Sequence, residues 1–155
     1  MRLTLTALTL ATFALGAPVL AQDAPTGDAA AGEKVFAKCQ TCHVVADADG
    51  NVLAGKNAKT GPNLYGLPGR AAGSYEGFNG YGDSTKKLGE SGFAWNEADF
   101  VEYVADPAKF LKAKLDDKGA KTKMSFKLTK EEDAKNVWAF LASLSPAAEA
   151  APASN

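Results

Sequence analysis

Histidine is almost absent from this sequence, with His43 its sole example. Cysteine occurs twice, as Cys39 and Cys42, and methionine twice, as Met1 and Met124. In an oxidising compartment such a lone pair of cysteines would ordinarily be a disulfide. Together with one histidine they leave the usual four-ligand zinc shell short of a group. Neither sign of charge dominates, since 17 lysines and arginines face 18 aspartates and glutamates. A nucleic-acid binder would be strongly basic, so that class is excluded. The longest apolar run, Leu3 to about Leu15, is interrupted by four threonines. It falls short of the ~20 residues that a membrane-spanning helix needs.

That run follows Met1-Arg2 and precedes Pro18-Val19-Leu20-Ala21. A positive start, a short apolar stretch and small residues before a cut site form a secretory leader, residues 1–21, cleaved before Gln22. Loss of Arg2 with the leader leaves 16 cationic and 18 acidic side chains, a formal charge of −2. The expected product is a soluble, exported chain with one domain. Residues 22–28 read as a flexible start, 29–145 as the domain, and 146–155, rich in Ala, Pro and Ser, as a disordered tail.

Within the domain, Asp28 is placed to cap a helix running to about Cys39, with Ala29, Gly32, Phe36 and Cys39 on one stripe. Gly32 inside a helix costs roughly 0.5–1 kcal/mol relative to Ala, which marks a close approach of another helix. From Ala46 to Gly92 glycines and prolines recur, with Leu64, Tyr65, Leu67, Tyr75, Phe78 and Tyr81 interleaved. The aromatics favour a packed, ligand-wrapping loop over disorder. Asn96 followed by Asp99 opens a second helix that Pro107 ends, and Asp106-Pro107 starts a short successor to about Lys114. Thr129 to Glu132 resembles a capping box for a last helix stopped by Ser145-Pro146. No strand is evident. The fold class expected is all-α: three main helices, short helices and long loops.

The chemistry-bearing stretch is Cys39-Gln40-Thr41-Cys42-His43. Two thiols separated by two residues, with an imidazole directly after, match the pattern of a c-type haem attachment site. At a helix end, residues three apart share a face, so both sulfurs can reach the vinyl groups along one porphyrin edge. His43 then points at the iron. Bis-histidine ligation within one chain is impossible, which leaves Met124, a lysine or an open position opposite. Met124 lies in a polar loop and not on an amphipathic helix stripe, and a Met/His pair recurs in cytochromes c. Three rivals compete with that reading. A thiol–disulfide oxidoreductase would need a thioredoxin-like βαβ pattern, which is not visible. The others are a zinc module and a haem with open iron.

The ordered set Cys-Gln-Thr-Cys-His at 39–43, Lys-Thr-Gly-Pro-Asn-Leu-Tyr-Gly at 59–66, Gly69-Arg70, Trp95, Tyr103, Thr122-Lys123-Met124 and the last helix resembles the class I cytochromes c. Among them the larger bacterial cytochromes c2 and their respiratory relatives are most similar. The resemblance spans about Asp28 to Leu144. It implies one covalent haem c on Cys39 and Cys42, with His43 and Met124 as axial ligands. It further implies that the Pro62 carbonyl accepts the second imidazole N–H. Arg70, Tyr81 and Trp95 would stand on the haem propionate side, Tyr103 and Thr122 near the Met124 sulfur, and Phe126 beside the haem edge. Gly32 and Phe36 would cross the last helix near Val137, Phe140 and Leu141. Two insertions relative to shorter members fall at Asp47 to Lys56 and Lys114 to Ala120, with one extra residue between Phe78 and Tyr81.

The function so implied is electron transfer in the periplasm by a monomer that docks transiently at membrane complexes, and not enzymatic catalysis. The donor would be a cytochrome bc1-type complex, and the acceptor a cytochrome c oxidase or a photosynthetic reaction centre. Eight lysines against Asp116 and Asp117 give residues 109–130 a charge of +6, while the rest of the mature chain carries −8. A positive field around the Met124 loop would steer acidic partners there.

Overall fold

A computed structural model describes residues 24–146. The expected leader (1–21) and nearly all of the expected tail (146–155) lie outside the described residues. Five helices and one small antiparallel hairpin follow in the order α1 (Ala29–Phe36), β1 (Val44–Ala46), β2 (Val52–Gly55), α2 (Asp83–Glu90), α3 (Glu97–Ala105), α4 (Pro107–Lys114) and α5 (Glu131–Leu144).

α1 crosses α5, and the crossing holds the two ends of the domain together. The Asp28 carboxylate caps α1 by accepting from Ala31 N. A Cβ on Gly32 would lie 1.9 Å from the Asn136 carbonyl oxygen and 2.8 Å from Phe140 Cβ, so only glycine fits there. Phe36 and Phe140 pack beside it with tilted rings, centroids 5.5 Å apart. Residues 24–28, expected to be flexible, are tied down: Thr26 N donates to Glu97, and Asp28 N donates to the Asn136 side chain at 2.8 Å.

α1 ends at Phe36, one turn earlier than the sequence pattern suggests, and Cys39 to Cys42 follow in consecutive turns. The segment from Asp47 to Lys56, expected as a loop, contains the second strand of a hairpin. Val44 pairs with Gly55 and Val45 with Ala54, with an irregularity between Val45 and Ala46. Its tip is closed by Asp47, whose carboxylate accepts from Asp49 N and Asn51 N, with Gly50 at positive φ. Two strands of three and four residues carry no alternation long enough to register in the sequence.

α2 is also absent from the sequence reading. It has no side-chain cap, includes Gly89, and buries Leu88 alone among its residues. Its position comes from tertiary contact, not from periodicity. α3 and α4 form as expected, with Asn96 accepting from Asp99 N and Asp106 accepting from Lys109 N. The capping box expected at Thr129 to Glu132 does not form. Lys130 is the N-cap with no side-chain bond, and Glu131, Glu132 and Asp133 supply negative charge to the helix N-terminus instead. The core runs between α5 and α3–α4, where Phe110, Leu111, Val137 and Leu141 are essentially inaccessible to solvent.

Candidate functional site

One cavity of about 890 Å³ opens among the loops, bounded by α3 and α5 on its inner side. Its volume lies in the upper part of the ~300–1,000 Å³ range of cofactor pockets. Cys39, Cys42, His43 and Met124 all line it, although Met124 follows His43 by some eighty residues. Pro62, Arg70, Tyr81, Trp95, Tyr103 and Phe126 line it as well. Thr122 alone of the expected residues is not on the wall. It stands one step behind, its hydroxyl accepting from Met124 N at 3.0 Å and in contact with the Tyr103 hydroxyl.

His43 is fixed from two directions. Its Nδ1 lies 2.9 Å from the Pro62 carbonyl oxygen, so Nδ1–H donates and Nε2 is left free for the cavity side. A Cβ on Gly61 would fall 2.4 Å from His43 Cε1, so the ring rests on a surface that glycine alone provides. Burial pushes the imidazole pKa below its ordinary value, with the Pro62 bond opposing and the Arg70 charge assisting. A neutral imidazole with one free nitrogen is what a metal requires.

Burial pushes the Cys39 thiol up to about 11. An attacking thiol in a disulfide oxidoreductase needs the opposite shift. Among the described residues no group of three or more His, Cys, Asp and Glu side chains converges to hold a metal.

Arg70 donates to the Tyr65 carbonyl at 3.0 Å and to the Asn63 carbonyl at 2.9 Å, and stacks over the Tyr75 ring. Among the described residues it has no carboxylate partner. Its charge, held by neutral acceptors on a cavity wall, suits an anionic group inside the cavity. Short backbone ladder bonds set it beside Trp95: Gly69 N donates to the Trp95 carbonyl, and Trp95 N donates to the Arg70 carbonyl. Trp95, Tyr103 and Phe110 then form one aromatic cluster, centroids 5.0–6.0 Å apart. Tyr81 meets Phe78 edge-on at 5.0 Å, and burial raises the pKa of both Tyr81 and Tyr103.

A large apolar chamber with two thiols, a neutral imidazole, a thioether and an unpaired guanidinium fits a covalent haem. No family model matches the chain. A cytochrome c2 from Fuscovulum blasticum is 66% identical over 135 residues, covering 85% of each chain. The chain belongs to the cytochrome c2 family. The crystal structure of cytochrome c2 from Rhodobacter sphaeroides superposes with a TM-score of 0.75 at 56% identity, covering 76% of this chain and 96% of that one. Ferric cytochrome c-550 from Paracoccus versutus gives 0.71 at 50% identity, covering 77% and 99%. The fold is therefore that of the class I cytochromes c, the cofactor is one covalently attached haem c, and the protein is an electron carrier and not an enzyme.

Several wall residues escaped the sequence reading. Gly61 was legible as a turn residue, but its contact with the His43 ring was not. Lys38 and Thr85 also line the chamber; they come from separate segments, and nothing local distinguishes them. The expected lysine field is thinner than its count. Lys114 pairs with Asp99, Lys127 with Asp106, and Lys130 with Glu132 and Asp133. Of the eight, Lys123 lines the cavity.

Proposed function

We propose that the chain carries single electrons through the periplasm between membrane redox complexes, with Cys39 and Cys42 as the haem thioethers and His43 and Met124 as the axial ligands. The observation that carries this reading is the convergence of those four side chains on one chamber. A haem held there would supply a one-electron couple, with His43 and Met124 as the residues that would hold its iron. His43 presents Nε2 while Pro62 holds its Nδ1 proton, which fixes the ring and raises its basicity. Met124 offers a soft, uncharged sulfur that favours the ferrous state. Arg70, with Tyr81 and Trp95 alongside, would balance the charge of a propionate, and the aromatic cluster would exclude water from the chamber. Tyr103 and Thr122 would hold the Met124 segment in place, which suits a carrier that changes charge with little rearrangement. Phe126 lines the chamber and is 38% exposed, so it would meet a partner docked at the mouth.

Lys59 and Lys123 on the cavity wall give the mouth a positive rim, while Lys38 beside them is paired with Asp133 at 3.4 Å. That rim suits an acidic docking face such as a cytochrome bc1-type donor, or an oxidase or reaction-centre acceptor, would present. Among the described residues no helix is long and apolar enough to cross a membrane. Export rests on the leader at residues 1–21. Electron-transfer rates with such complexes are expected to fall at least tenfold between ~0.01 and ~0.15 M salt, as the Debye length drops from about 30 to 8 Å. Stopped-flow kinetics check this, and a flat salt profile would remove the steering role of the rim.

A further inference from the structure

Asn63 is one of two buried polar residues among the described residues, with 9% of its surface exposed, and it does not line the cavity. Its side-chain carboxamide makes three hydrogen bonds. Oδ1 accepts from Ala46 N at 3.0 Å and from Tyr65 N at 3.0 Å, while Nδ2 donates to the Ala46 carbonyl at 2.7 Å. The paired bonds to Ala46 are those that a residue of a neighbouring antiparallel strand would exchange. The carboxamide therefore stands in for a peptide unit on the side of β1 that β2 leaves open. It belongs to a continuous seam between segments 42–46 and 61–64. Gly61 N donates to the Cys42 carbonyl at 2.7 Å and Leu64 N to the Val44 carbonyl at 2.9 Å. Between these two bonds lies His43 Nδ1 on the Pro62 carbonyl, and Asn63 is the next residue in the chain.

We infer that Asn63 is the positioning residue for the bond between His43 and Pro62, and that through it the hairpin helps to set the reduction potential. The inference rests on the reading of His43 as an axial ligand. Pro62 has no N–H with which to anchor itself, so its carbonyl is aimed by its neighbours. Gly61 holds it on one side, and Asn63, through three bonds, on the other. A firmly placed carbonyl strengthens the bond from Nδ1–H, makes the imidazole a better donor and favours ferric iron. Loosening it raises the potential.

The test compares Asn63→Ala with Asn136→Ala in the haem-loaded protein. Asn136 is equally buried, but its side chain accepts from Asp28 N at the crossing of α1 and α5. Both variants lose stability. Asn63→Ala alone is expected to raise the potential and to speed exchange of the His43 Nδ1 proton, followed by NMR, on the order of tenfold. Asn63→Asp keeps both acceptor bonds and loses the donor to Ala46. It serves where the alanine variant does not accumulate, and is read by its proton exchange alone, a smaller increase being expected, because its added negative charge itself favours ferric iron. Equal potentials and equal exchange rates in the Asn63 and Asn136 variants would overturn the inference. Failure of the ligand reading shows separately, as the absence of iron-shifted His43 resonances in the unsubstituted protein.

Discussion

Replacing Met124 with alanine is expected to abolish the red iron–sulfur charge-transfer band of the ferric protein. The same change lowers the reduction potential on the order of 100 mV, roughly two decades of ferric-to-ferrous ratio at about 59 mV each. The direction follows from the proposed ligand's chemistry: an uncharged thioether stabilises ferrous iron, and its loss shifts the balance to ferric. The size follows from how firmly the site is built. The Met124 segment is anchored by Lys121 N on Ser84 Oγ at 3.0 Å, by Met124 N on Thr122, and by Leu128 N on the Val104 carbonyl at 2.7 Å. A loop pinned to other segments on both sides of Met124 does not collapse to fill the gap, so the variant should also bind cyanide or imidazole readily. Optical titration and redox potentiometry check all three outcomes.

Gly32→Ala is expected to destabilise the protein by about 3 kcal/mol, at the upper end of ordinary overpacking costs. Helix propensity alone predicts the opposite, a gain of roughly 0.5–1 kcal/mol. Packing wins because the added Cβ would stand 1.9 Å from a backbone oxygen of Asn136, which cannot rotate away. Relief requires α1 and α5 to separate, and with them the Phe36–Phe140 contact. For a domain of this size the cost corresponds to a melting temperature lower by roughly 10 °C. Thermal unfolding of the two proteins decides the sign. A rise in melting temperature would mean that the helices do not meet at this glycine.

The parts of the structure legible in the sequence are those whose signal is local. The caps at Asp28, Asn96 and Asp106 each need a side chain and a backbone N–H three residues away, and all three formed. The Cys-Cys-His unit announced the chamber because its spacing is chemical. Gly32 announced the helix crossing because its cost in a helix needs a cause. What the sequence hid depends on distant partners. α2 has almost no apolar face and is placed by contacts that Leu88 makes with the core. The hairpin pairs two strands too short to show a period. The Thr129 box misled because Lys130, with three acidic residues after it, begins α5 without a side-chain cap. Asn63 sat in plain view beside Pro62. Its importance lies in Ala46, seventeen positions earlier, and no periodicity links the two.

The central claim is that His43 and Met124 hold one iron between them. The most direct measurement is the visible spectrum of the purified ferric protein at neutral pH, taken before and after extraction in acidified acetone. The account predicts haem that stays with the polypeptide and a red charge-transfer band from iron bound to the methionine sulfur. Haem that extracts freely, or a retained haem without that band, would contradict it.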